Sequence, residues 1–513
     1  MRAAPGLALA AFVTAAGGAP QAPPAPAETR QEAAVRQACS ACHALPPPDI
    51  LPRKAWKAVV LDMTGLIVEG VGAPSDKPRP TADFDVDQVA YFFESRAPLA
   101  LPSPEPWPAP GTDPERFVRR PLTLAGPHPP PSVANVRFLP LGPKGEKVVV
   151  AADMLSGQIL GSGSLAAPAP PALTLLGRVP VPCHVEAVDL DRDGLTDLLV
   201  ADLGEAKPGD QLHGSVVWLH AKAAGAGSVR YAAVPLARGL PRVADVQAAD
   251  FDGDGDLDLV VAAFGWRRVG GILLLENRTQ DWAKPAFVAR TLDDRTGAIH
   301  VPVADLDKDG HPDFVALLSQ QHEAVVAFLG DGRGGFRQET IDRAPHPAWG
   351  SSGLQLVDLD GDGDQDVLVS NGDMLDDYQL KPYHGLRWLE NRGTFPFVPH
   401  DLAPMFCVMR AQAGDVDGDG DLDVVAAALV QFKTDGGPPR SSPDIPSLVW
   451  LEQASPGRFV RHTLETGSQH LSLDLADADG DGDLDIVVAS SLSRDPAHAV
   501  LWENVGRRAG GPK

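Results

Sequence analysis

Over most of its length the chain alternates short apolar runs with clusters of aspartate and glycine. Val185–Val188, Val246–Ala249 and Val301–Ala304 each approach such a cluster, and Asp-Leu-Leu-Val, Asp-Leu-Val-Val and Asp-Ile-Val-Val leave one. Short runs rich in β-branched residues and bounded by turn formers predict strands. A third run follows in each unit, at Ser215–His220, Ile272–Glu276, Ala324–Leu329, Leu386–Glu390, Ser447–Glu452 and Ala499–Glu503. A fourth begins near a phenylalanine or tyrosine. Four short strands per unit is blade architecture.

The clusters share one phrase, D-x-D-x-D-G-x-x-D, which starts at Asp189, Asp250, Asp305, Asp358, Asp415 and Asp477, in steps of 61, 55, 53, 57 and 62 residues. Carboxylates at positions 1, 3, 5 and 9 around a glycine describe a tight loop wrapped around a hard cation. The expected ligands are Asp189, Asp191, Asp193 and Asp197 in the first loop, then Asp250, Asp252, Asp254 and Asp258. Asp305, Asp307, Asp309 and Asp313 follow, then Asp358, Asp360, Asp362 and Asp366. Asp415, Asp417, Asp419 and Asp423, and finally Asp477, Asp479, Asp481 and Asp485, complete the set. An all-oxygen shell suits Ca²⁺ better than zinc or copper, and about six ions are expected. An EF-hand is excluded because position 12 is Val200, Val261, Ala316, Val369, Ala426 or Val488 and strands take the place of helices.

Strand, acidic loop and strand in tandem resemble the FG-GAP (VCBS) repeats of integrin α-like β-propellers, over roughly residues 116–506. The resemblance implies an all-β seven-bladed propeller. Its remaining unit lies before the first loop. With Gly145 laid on Gly194, Val133–Leu139 and Lys147–Ala152 become strands, but Pro140, Gly142, Lys144 and Val148 occupy the ligand positions. That blade is not expected to bind calcium in this way. The last unit has three strands before the chain ends, and Arg116–Leu122 repeats the internal fourth strand Arg458–Leu464. Residues 116–122 are therefore expected to close the ring beside Ala499–Glu503, since an open edge leaves strand groups unpaired.

The amino-terminal part reads differently. Met1 to about Ala19 has the Arg2, the apolar Leu7–Val13 core and the small residues of an export signal, and a Pro/Ala linker brings this segment to residue 27. The mature protein is expected to be periplasmic or secreted, and no later apolar run is long enough to span a bilayer. Cys39-Ser40-Ala41-Cys42-His43 is the c-type haem attachment sequence, with two thiols for the vinyl groups and His43 as proximal ligand. Helices are expected over Glu28–Ala38, Lys54–Ile67 and Asp85–Phe93. With the haem motif they resemble a small all-α class I cytochrome c domain over residues 28–104. Met63, the one methionine of this segment, is the expected sixth ligand, and core packing beside Trp56 is its alternative. The proline-rich stretch 105–115 predicts a stiff spacer before the propeller, and 507–513 a tail.

Net charge is −24, yet the six loops alone hold 28 aspartates, so the acidity belongs to metal loops and argues against nucleic-acid binding. Polar residues three and five positions before the loops are expected at the channel mouth, where His184, Asp245, His300 and Arg410 share one level. Satisfied groups around a water-filled channel account for them, because no catalytic set can be assigned. Cys183 and Cys407 stand near that level, and whether they pair stays open.

The reading that uses the whole chain is an exported c-type cytochrome fused to a calcium-stabilised propeller. The haem would carry electrons, and the propeller would dock a redox partner or a small-molecule or polysaccharide ligand. A haem-coupled dehydrogenase and an integrin-like adhesion protein are the alternatives.

Overall fold

The computed structural model describes residues 29–40, 44–68, 85–103, 106–109, 116–142, 145–166, 172–225, 228–432, 440–491 and 496–506. The export segment, Cys42, His43 and the tail expected over 507–513 lie outside the described residues.

Seven antiparallel sheets follow one another in a ring. Blade 1 comprises Val133–Leu139, Val148–Asp153, Gln158–Gly161 and Thr174–Arg178; the inner strands of blades 2 to 7 start at Pro182, Val243, Ala298, Ser351, Val408 and Leu473. We letter the strands of each blade A to D from the channel outwards. Strand B is buried throughout in every blade, as its unbroken apolar run requires. Blade 4 departs in one place. Its strand A is split into Ala298–His300 and Val303–Ala304, and the break falls at Pro302, which has no N–H to give to a ladder.

Each gap between blades holds its own apolar cluster. Leu160 and Leu501 meet between blades 1 and 7, Val150 and Val200 between 1 and 2, and Phe314 and Ala262 between 3 and 4. The ring closes where the repeat of Arg116–Leu122 in Arg458–Leu464 places it: Phe117–Leu122 pairs antiparallel with Ala499–Asn504, Phe117 opposite Asn504 and Leu122 opposite Ala499. Phe117 and Leu122 are buried, and Arg116 donates to the Val416 carbonyl at 3.0 Å, which ties the closing strand to blade 6.

Three α-helices among the described residues precede the propeller. Helix α1, Arg30–Cys39, begins at a Thr29 capping box with Glu32 and ends at the first motif cysteine. Helix α2 spans Trp56–Val68, and α3 spans Val86–Arg96 behind the N-cap Asp85. Trp56 stacks on Phe93 with ring centres 4.1 Å apart, and Val35, Val60, Val89 and Ile50 complete the cluster. No helix among the described residues is long and apolar enough to cross a membrane.

The helices sit on the end of the blades opposite the aspartate loops, on B–C and D–A connections. The Arg267 guanidinium grips both Asp62 oxygens at 2.9 and 2.8 Å, and Arg267 is itself held because Asp210 Oδ1 accepts the N–H groups of Arg267, Arg268 and Val269. The Tyr383 hydroxyl donates to the Ile50 carbonyl at 3.4 Å, and Tyr383 stacks on Trp349.

The proline-rich stretch is pinned where it is described. Trp107 donates to the Pro404 carbonyl at 2.8 Å, and Thr463 donates to the Pro108 carbonyl at 2.7 Å. Within residues 106–109 the Trp107 indole packs against the apolar cluster of blades 5 and 6, a contact that proline content does not reveal.

Candidate metal loops and channel mouth

In all six loops the sixth-position glycine has left-handed backbone, from φ 87° at Gly194 to 99° at Gly420 and Gly482. The fourth position is left-handed too; it is glycine in four loops but Arg192 (φ 58°) and Lys308 (φ 60°) in the others. This winding aims backbone N–H groups at the first aspartate. Asp358, for example, accepts from Gly361 at 2.8 Å and Gly363 at 2.9 Å. The second residue of each loop (Leu190, Phe251, Leu306, Leu359, Val416 or Ala478) is buried as a plug.

The ninth aspartate does more than its place in a ligand set implies. Asp366 Oδ2 accepts from Leu359 within the loop at 3.1 Å, and Oδ1 accepts from Asn391, just past strand C, at 2.7 Å. Asp197, Asp313, Asp423 and Asp485 form the same two bonds. This carboxylate latches loop to blade, and each oxygen keeps a second lone pair. Burial pushes Asp258, Asp366 and Asp423 up to about 6 and Asp485 up to about 7.

The donor sets fit a hard cation. Ligand atoms of Asp189, Asp191 and Asp197, of Asp250, Asp252 and Asp254, of Asp305, Asp307 and Asp313, and of Asp358, Asp360 and Asp366 lie within 4.8 Å of one another in each set. Asp189 Oδ1, Asp256 Oδ1, Asp258 Oδ2 and Asp421 Oδ1 are buried without any hydrogen-bond donor. Buried oxygens in that condition are costly unless a cation meets them. Asp193, Asp309, Asp362 and Asp419 each cap the N–H two residues on, at 2.8 to 3.1 Å. Asp254 and Asp481 do the same for Asp256 and Asp483. Asp307, Asp415, Asp417, Asp477 and Asp479 take the same places in their loops as their counterparts in the first. Blade 1 has none of these carboxylates, and at the corresponding place Gly142 N–H donates to the Glu146 carbonyl at 3.0 Å.

One residue at the loops escaped the sequence reading. His220, on strand C of blade 2, stands 3.0 Å from Asp191 Oδ2 and groups with Asp191 and Asp193. It fills the position of Glu276, Glu390, Glu452 and Glu503 in other blades, so alignment of the third strands is the only clue to it.

At the channel the polar residues of strand A fall into two rings. The first carries Asn135, His184, Asp245, His300, Gly353, Arg410 and Ser472; the second, nearer the loops, carries Arg137, Glu186, Gln247, Pro302, Gln355, Gln412 and Asp474. Strand A has no strand on its channel side, so its N–H groups there need acceptors. The neighbouring blade supplies them. Asn135 takes the N–H of Val185, Asp245 that of Val301, Gln355 that of Ala413, Gln412 that of Leu475 and Asp474 that of Phe138, at 2.7 to 3.2 Å.

His184, Asp245, His300 and Arg410 do come together. His184 Nε2 lies 3.0 Å from Glu186 Oε1 and 3.1 Å from Asp245 Oδ1; His300 Nδ1 lies 3.5 Å from Asp245 Oδ2. Arg410 donates to His300 Nε2 at 3.2 Å, which fixes the His300 proton on Nδ1. Arg137 joins Glu186 to Asp474, and although burial opposes it, the Arg137 charge draws Glu186 down to about 2. Cys183 and Cys407 are both free; the thiol of Cys183 donates to the Val243 carbonyl and that of Cys407 to Met374 Sδ.

Cys39 packs at the edge of the helical cluster. Met63 is 37% exposed, so core packing beside Trp56 does not describe it.

No curated protein matches the chain. A family model described as the FG-GAP-like repeat matches residues 189–261 and 305–369. The first span runs from the loop of blade 2 to strand B of blade 3, and the second from the loop of blade 4 to strand B of blade 5. The protein carries FG-GAP-like repeats within a seven-bladed β-propeller.

Proposed function

We propose that the chain is an exported electron-transfer protein in which a c-type haem segment rides on a calcium-stabilised docking propeller. The C-x-x-C-H spacing of Cys39, Cys42 and His43 carries the haem part of the reading. Cys39 closes α1 beside an apolar cluster, and Met63 extends the α2 face of Trp56, Val59 and Val60 into the open. An apolar face that ends in an uncovered thioether suits contact with a porphyrin. Cys39 and Cys42 would hold the macrocycle, and His43 and Met63 would bind its iron. Bound there, haem supplies one-electron chemistry. The propeller's part is to hold the helices through Arg267, Tyr383 and the Trp107 anchor and to offer the surrounding face to a partner.

The test is spectroscopic. Purified holoprotein should keep its haem through acid extraction and give a c-type pyridine spectrum. A Cys42→Ala variant that still holds haem by two thioethers refutes the assignment. Met63→Ala should turn low-spin iron high-spin, and an unchanged spectrum points to another ligand.

A further inference from the structure

The two sides of the channel mouth are not equivalent. Towards blades 7, 1, 2 and 3, Asp474, Arg137, Glu186, His184, Gln247 and Asp245 form a continuous network in which donors meet acceptors. Blades 5 and 6 differ. Gln355 and Gln412 spend their carbonyl oxygens on the N–H groups of Ala413 and Leu475, and neither amide NH₂ meets an acceptor among the described residues. Arg410 gives a single hydrogen bond, to His300, and its remaining N–H groups have no acceptor among those residues.

Between blades 4 and 6 the first ring carries Gly353, which brings no side chain to the channel and is closely packed, since an added Cβ would come within 2.6 Å of Ser370 Oγ and 2.8 Å of the Met409 carbonyl. Arg410 reaches across this bare position to His300 two blades away. Pro302 likewise leaves the second ring without a polar group in blade 4. Arg410, Gln355 and His300 are all partly exposed. A guanidinium with spare N–H groups and two amides without acceptors, beside inner-strand positions that carry no polar side chain, describe half of a recognition site.

We propose that this half of the channel mouth binds a small organic carboxylate. The guanidinium fork matches a carboxylate in two parallel bonds, and the Gln355 and Gln412 amides add donors for the same group or an adjoining hydroxyl. Glu186, Asp245 and Asp474 across the channel favour a single negative charge over a phosphate dianion. The site is independent of the haem.

Calorimetric titration of the full-length protein with galacturonate, lactate, inorganic phosphate and neutral galactose tests this. At least one carboxylate should bind, and more tightly than phosphate or galactose. Arg410→Gln should weaken that binding about tenfold or more. Gln412→Glu is the sharper variant: an oxygen still accepts from Leu475, so the blades stay joined, while the amide donor becomes a repelling carboxylate. It should abolish binding at an unchanged melting temperature. The proposal is overturned if neither carboxylate binds at millimolar concentration, if galactose or phosphate binds equally well, or if folded Gln412→Glu binds like the wild type.

Discussion

Arg120, on the first strand of the propeller, forms an ion pair with Glu503, near its last, in the place where His462 pairs with Glu452 one blade earlier. The repeat between residues 116–122 and 458–464 thus extends to side-chain partners as well as backbone register. Both ends of this pair are mostly covered, so it should contribute to closure. Arg120→Glu is expected to cost about 1 kcal/mol by setting like charges across the strands. Adding Glu503→Arg should restore most of it in denaturant titrations. Failure of the charge swap to recover stability would mean that the pair is incidental to closure.

If the six loops hold Ca²⁺ as proposed, its removal should loosen the propeller at all of them at once. Each loop gathers four or five carboxylates, and every like-charged pair left without its cation costs on the order of 1 kcal/mol or more. EDTA is therefore expected to lower the melting temperature, with Ca²⁺ restoring it and Mg²⁺ doing so poorly. Identical melting curves with and without chelator would remove the metal from the account.

Arg192 holds a left-handed conformation that glycine holds in four sister loops, and its side chain has no partner among the described residues. An L-residue loses roughly 1–2 kcal/mol there, of which the extra entropy of an unfolded glycine returns a part. Arg192→Gly should raise stability by up to about 1 kcal/mol. A loss of stability would show that the guanidinium has a role outside the loop.

Glu323 offers a readout of pH. Burial pushes its carboxyl up to about 7, although the N–H groups of Gly350 and Ser351 pull the other way. An unfolded chain releases this proton near pH 4.3. Between those values the folded protein holds the extra proton, so this residue's contribution falls as pH rises through the window. Stability curves of wild type and Glu323→Gln should diverge there by up to roughly 3 kcal/mol. Parallel curves from pH 4.5 to 7 would show that Glu323 does not titrate in this range.

Strands and loops were legible because each is written six times, and repetition converts a weak local pattern into a register. Even the closing strand could be read, since Arg116–Leu122 copies a segment whose role the other blades reveal. Partners distant in sequence were not legible. Nothing near Asp191 announces His220, and nothing in a proline-rich stretch says that Trp107 lies along blades 5 and 6. The polar character of the inner strands was plain. Its purpose was not, because clasping a neighbour's N–H is a property of ring geometry and not of either strand alone.

The Trp107 anchor also sets the reach of the helices. Only nine residues lie between Ala97, at the end of α3, and the indole held on blades 5 and 6. Fully extended, the ten steps from Ala97 to Trp107 cover about 35 Å. If the exposed Asp62–Arg267 contact opens, the helices therefore swing on a short leash and meet the same face again at a high effective concentration, in the millimolar range for short linkers. Release is local and quickly reversed, so a partner protein would compete with a tethered neighbour for the helical segment and would need to bind it more tightly than a free domain would require.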